Sequence, residues 1–114
     1  SMAEGWGLSC TEAFACGIPV LFPKHTSLVE IIGEDAQRGY FISLAGNYFY
    51  DWNMGQYWYP VCDEVHAANM LEWISKYKEF VNTKSYLATQ WVKEHTWDLI
   101  GKQWVEVFDN IGDK

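Results

Sequence analysis

Glu4-Gly-Trp-Gly-Leu-Ser-Cys-Thr-Glu12-Ala-Phe-Ala-Cys-Gly-Ile-Pro-Val20 is the stretch from which the rest of the chain can be read. Gly5 and Gly7 flank Trp6, which suits a tight loop with backbone angles closed to other residues. A helix is expected over Ser9 to Cys16, because Ser9 and Glu12 have the spacing of a capping box. Gly17 fits the position after its end, and Pro19 forbids continuation. The apolar run Ile18 to Phe22 then has the length of a strand covered on both faces. Ser27 can cap a short helix through Leu28 to Ile32, stopped at Gly33. Loop, helix, strand, loop, helix is the order of a doubly wound α/β sheet.

Working outward, Gly39 to Leu44 reads as a second strand. Between Tyr48 and Tyr59 the aromatics Tyr48, Phe49, Tyr50, Trp52, Tyr57, Trp58 and Tyr59 crowd together. Asn53 and Gly55 can turn the chain there, giving a hairpin or an ordered loop. Asp63 is placed to cap a helix running to about Phe80, with Val65, Met70, Leu71, Ile74 and Tyr77 at roughly helical spacing. A second helix is expected over Lys84 to Glu94. A third begins near Trp97 with Thr96 as its cap, and Leu99, Ile100, Trp104, Val107, Phe108 and Ile111 form its apolar stripe.

Composition narrows the function classes. The formal net charge of −7 disfavours nucleic acid, since phosphate backbones repel an acidic chain. No apolar run approaches the roughly 20 residues of a membrane span. Ser1-Met2 lacks the basic and apolar regions of a signal peptide and reads as a scar of tag removal. Cys10, Cys16 and Cys62 are odd in number, and Cys10 and Cys16 read as small buried residues of a reduced, cytoplasmic protein. His25, His66 and His95 are scattered, and no ligand spacing is present, so no metal site is expected.

Two carboxylates carry the chemistry. Glu4 lies on the glycine loop and Glu12 about one turn into the helix, so both can face one cleft at the helix N-terminus. The amides near Leu8, Ser9 and Cys10 favour an anion there. A carboxylate accepts sugar or ribose hydroxyls strongly. Phosphate on amides and hydroxyls on carboxylates together describe a nucleotide-sugar. The same spacing also fits Glu12 as the capping partner of Ser9 alone.

The stretch from Glu4 to Val20, followed by Ser27-Leu-Val-Glu-Ile-Ile32, resembles the donor-site signature of the retaining glycosyltransferases related to glycogen synthase (glycosyl transferases group 1, family 4 type). Those enzymes have the GT-B fold, two Rossmann-like domains with the active site between them. The resemblance implies that Glu12 holds the ribose hydroxyls of the donor nucleotide. It gives Glu4 the place beside the donor hexose, as the candidate catalytic carboxylate. It makes Trp6, Gly7 and Leu8 the loop whose main chain meets sugar and diphosphate, with Ser9 and Cys10 beside the phosphates. Trp6 stands where the family often has Phe. The family needs no metal or other cofactor, the nucleotide-sugar being the substrate.

The expected fold is therefore α/β: the Rossmann-like half of the C-terminal domain of a GT-B fold, with a helical C-terminal tail. The family's acceptor domain, base-binding region and basic phosphate clamp are missing. Residues 1–114 thus read as a partial donor-binding domain whose partner is an N-terminal domain of the parent enzyme, and isolated sugar transfer is not expected. Two rivals stand beside this reading. One is a non-enzymatic interaction or assembly module, self-associating through its aromatic surface. The other is an epimerase on the same fold.

Overall fold

A computed structural model describes residues 5–52 and 55–112, with the side chains of 50–58 and 112 left outside the description. Ser1, Met2, Glu4 and the Asn53 turn lie outside the described residues, as do the side chains of Trp52 and Trp58. The elements are α1 (Leu8–Ala15), β1 (Leu21–Pro23), α2 (Ser27–Ile32), β2 (Tyr40–Ile42), β3 (Leu44–Trp52), β4 (Gly55–Cys62), α3 (Glu64–Lys76), α4 (Lys78–Lys93) and α5 (Trp97–Gly112).

The first helix starts one residue earlier than the sequence predicts. Its N-cap is Gly7, in the left-handed region at φ 75°, and no side chain caps it. Ser9 is thus the second residue inside α1, and the expected capping box with Glu12 does not form. The cause is tertiary: Gly7 is buried against Leu28 and Ile31 of α2, which fixes where the helix begins. The other end follows the sequence. The Gly17 amide donates to the Phe14 carbonyl at 3.0 Å and the Ile18 amide to the Ala13 carbonyl at 2.9 Å, with Gly17 at φ 69°. These bonds satisfy carbonyls that a helix end leaves open. Because Ile18 is held in that cap and Pro19 has no donor, strand pairing starts only at Leu21.

β1 and β2 pair in parallel, Leu21 opposite Tyr40 and Pro23 opposite Ile42, with α2 as the connection. That unit and α1 enclose the core: Cys10, Phe14, Val20, Leu28, Ile31, Ile32 and, from α4, Ala88. The order expected of an α/β chain is present, as a two-stranded parallel sheet with helices.

β3 and β4 form an antiparallel hairpin, Tyr48 opposite Tyr59, with an irregularity between Leu44 and Gly46. Aromatic residues favour such pleated pairing. Its base is tied down by the Asp63 amide donating to the Ser43 carbonyl (2.9 Å) and the Ser43 amide donating to His66 Nδ1 (2.8 Å). Asp63 also caps α3, accepting from the His66 amide at 2.9 Å, as its position predicts.

The expected helix to Phe80 instead breaks at Tyr77 (φ −113°, ψ 61°), and α4 runs unbroken from Lys78 rather than from Lys84. No Gly or Pro marks that break. Trp73, Tyr77 and Phe80 cluster there, with Trp73 5.1 Å from Tyr77 and 5.8 Å from Phe80 between ring centroids. The Phe80 and Val81 amides then restart the helix on the Tyr77 carbonyl. Thr96 caps α5 as read, its Oγ1 accepting from the Leu99 amide at 3.4 Å.

The described chain is flat, 55 × 44 × 19 Å. Its radius of gyration is 17.4 Å, against about 13 Å for a compact chain of this length. The excess reflects a hairpin and an α5 that extend away from a small core.

Candidate functional site

Three of the candidate binding residues line one pocket. Trp6, Leu8 and Glu12 meet Thr11 and Ala15 on one wall, formed by the Gly5–Gly7 loop and α1. Thr89, Val92 and Lys93 of α4, then His95, Thr96, Trp97 and Ile100, make the other wall. Its volume is about 600 Å³, within the usual range for a small-molecule site. Leu8, Glu12 and Ala15 share a wall because helical residues three and four apart lie on one face.

Glu12 is exposed at this wall, and the absent capping box leaves its carboxylate free of that duty. Its cap partner of the sequence reading, Ser9, is exposed and is not part of the pocket lining. Gly7 is buried behind the loop. Its carbonyl accepts from the Cys10 amide at 3.0 Å and the Thr11 amide at 3.3 Å. Of the α1 amides named as anion donors, Cys10 is therefore engaged, while Leu8 and Ser9 precede the bonded turn.

Cys16, read in the sequence as buried, is exposed. Cys10, read the same way, is fully buried in the core, on the opposite face from Glu12. Burial pushes its thiol up to about 11 from 9.0. At such a pKa the thiolate fraction near neutrality falls roughly a hundredfold. Iodoacetamide at pH 8 should therefore modify the exposed Cys16 at least about tenfold faster than Cys10 in the folded chain. Equal rates by peptide mass mapping would mean that α1 does not hold Cys10 inward.

Three residues of the far wall had no place in the site as read from the sequence. Lys93 brings a cation, its Nζ 3.5 Å from Gln90 Oε1. His95 stacks on Trp91 at 3.8 Å between centroids, and its Nδ1 lies 2.9 Å from the Trp91 carbonyl. Trp97 stands 82 % exposed at the rim. Nothing in their spacing links them to Glu12, because a tertiary contact between α1 and α4 brings the two walls together. The Thr89 hydroxyl marks that contact, 3.1 Å from the Phe14 carbonyl and 2.9 Å from that of Ser85.

Among the described residues no group of three or more His, Cys, Asp or Glu could hold a metal ion. Among them, too, no helix is long and apolar enough to cross a membrane. Residues 1–44 match the family described as glycosyl transferases group 1. No curated protein and no solved structure matches the chain. The family match covers the Gly5–Gly7 loop, α1 and the β1-α2-β2 unit. It supports a group 1 glycosyltransferase, and the mixed α/β fold is consistent with part of a GT-B domain.

Proposed function

We propose that this chain is the donor-binding part of a glycosyltransferase that moves a hexose from a nucleoside-diphosphate sugar to an acceptor with retention of configuration. The observation that carries the reading is the exposed Glu12 carboxylate in one pocket with Trp6 and Leu8 of the donor loop. Glu12 would accept the two ribose hydroxyls. The Leu8 and Ser9 amides, at the positive end of α1, would offset the charge of the departing diphosphate without a metal. Lys93 adds a cation on the facing wall. Glu4 keeps its place as the carboxylate beside the hexose on the strength of the resemblance. These residues by themselves are proposed to bind donor without transferring it, since transfer needs an acceptor fixed in the same cleft.

Calorimetry with UDP, GDP and ADP tests this. One nucleotide should bind, and Glu12→Gln should weaken it by roughly tenfold or more, the worth of hydrogen bonds to a charged group. Melting should not change, because Glu12 is exposed and caps nothing. Given the sugar donor of the nucleotide that binds, together with an acceptor, the chain should transfer no detectable sugar. Equal affinity in wild type and Glu12→Gln would remove Glu12 from the site.

One observation favours a second reading, an assembly module. The α5 stripe is exposed: Trp104 57 %, Phe108 63 % and Ile111 66 %, with Trp104 and Phe108 stacked at 5.6 Å. Unpartnered apolar stripes of this kind mark contact surfaces. If α5 drives self-association, Trp104→Glu with Phe108→Glu should lower the mass in sedimentation velocity and leave nucleotide binding intact. A wild type that sediments as a monomer would dispose of this reading.

A further inference from the structure

The donor loop has little to hold it in place by itself. Gly5 and Gly7 flank Trp6, and a segment so rich in glycine loses much conformational freedom when ordered. Trp6 is its one large side chain. The Trp6 ring lies 6.1 Å from Trp91 at an interplanar angle of 21°, and 6.0 Å from His95 at 34°.

Both partners are themselves tied down. The Phe14 ring of the core meets Trp91 edge-on at 6.3 Å and 89°. The Arg38 guanidinium lies over the Trp91 ring at 4.9 Å. Arg38 in turn donates from Nε to the Ile31 carbonyl (2.7 Å) and from Nη2 to the Glu30 carbonyl (2.8 Å), at the end of α2. His95 stacks on Trp91, and a proton on its Nδ1 donates to the Trp91 carbonyl. The end of α4, the end of α2 and the core therefore converge on one indole.

We propose that Trp91 and His95 are positioning residues that hold Trp6, and with it the main chain leading into the Gly7 cap, in place before any ligand arrives. Trp91 is the fixed post. His95, stacked on Trp91, is the second ring against which Trp6 rests. The brace is a property of this chain alone; its value for nucleotide binding rests on the function proposed above. A loop ordered in advance does not lose that freedom on binding.

The test uses backbone ¹⁵N relaxation on wild type, His95→Ala and His95→Phe, followed by UDP, GDP and ADP titration of each. His95 is half-buried, so its loss should spare the core. In wild type the Gly5 and Trp6 amides should show order parameters near the rigid value of about 0.85, falling below about 0.6 in His95→Ala, while Gly7, held by α2, stays rigid. Ile31 and Ile32 should not change. His95→Phe should restore loop order, because it keeps an aromatic ring and loses only the Nδ1 bond. Affinity for the nucleotide that binds should fall about three- to tenfold in His95→Ala and recover in His95→Phe, matching the usual worth of one aromatic pair. An equally ordered loop in His95→Ala overturns the brace. A loosened loop with unchanged affinity overturns its role in binding. A wild type that binds no nucleotide counts against the proposed function, while the order parameters still decide the brace.

Discussion

Gly7→Ala should lower the melting temperature by about 5–10 °C and weaken nucleotide binding by roughly tenfold or more. Two effects act at this position. At φ 75° any residue with a Cβ is strained, by about 1–2 kcal/mol. The new methyl would also stand 2.8 Å from Leu28 Cδ2 and 3.8 Å from Ile31 Cδ1. Leu28 is 3 % exposed, so its side chain has little room to retreat. Relief would come from moving the loop off α2, and the Leu8 and Ser9 amides and Glu12 move with it. Stability and binding should therefore fail together. A Gly7→Ala chain that melts within about 2 °C of wild type would show that the left-handed cap is not what starts α1.

Phe14→Ala should have the largest effect on stability, a loss of about 3–5 kcal/mol. Phe14 is fully buried, at the centre of the small core. It touches elements from both ends of the chain: Trp91 meets its ring edge-on, and its carbonyl receives the Gly17 amide and lies near the Thr89 hydroxyl. With so few buried side chains around it, little is available to collapse into the cavity. Domains of this kind are stable by only about 5–15 kcal/mol, so the loss should leave the chain barely folded. In urea the midpoint should fall by about 2 M, taking a slope near 2 kcal/mol/M. A shift under about 0.5 M would mean that α1 is not packed on α4, and the pocket between them would lose its second wall.

The sequence carried the local signals well and the tertiary ones poorly. Gly17 with Pro19, Gly33, Asp63 and Thr96 act through their own backbone or an adjacent amide, and each ends or starts its helix where read. Ser9 failed as a cap because Gly7 is fixed by α2, which no local pattern records. The break at Tyr77 comes from an aromatic cluster and not from a helix-breaking residue. Within the site, Trp6, Leu8 and Glu12 were legible because they lie on one loop and one helix face. The i, i+4 spacing of Cys10 and Phe14 already marks the opposite, core-facing side of α1, which is why the Cys10 side chain does not line the pocket. Lys93, His95 and Trp97 join the pocket only through the packing of α4 on α1, and their own neighbourhood in sequence gives no sign of it.

In the proposed function a nucleoside diphosphate sits between α1 and the α4–α5 junction, held by Glu12. An amide-resolved NMR titration with UDP, GDP and ADP, repeated on Glu12→Ala, tests it most directly. The expected result is that one nucleotide shifts the amides of Gly7 to Glu12 together with those of Lys93 to Trp97, and that both sets fall silent in the variant. Shifts confined to the β3–β4 hairpin, or a well-dispersed spectrum that no nucleotide perturbs, would contradict it.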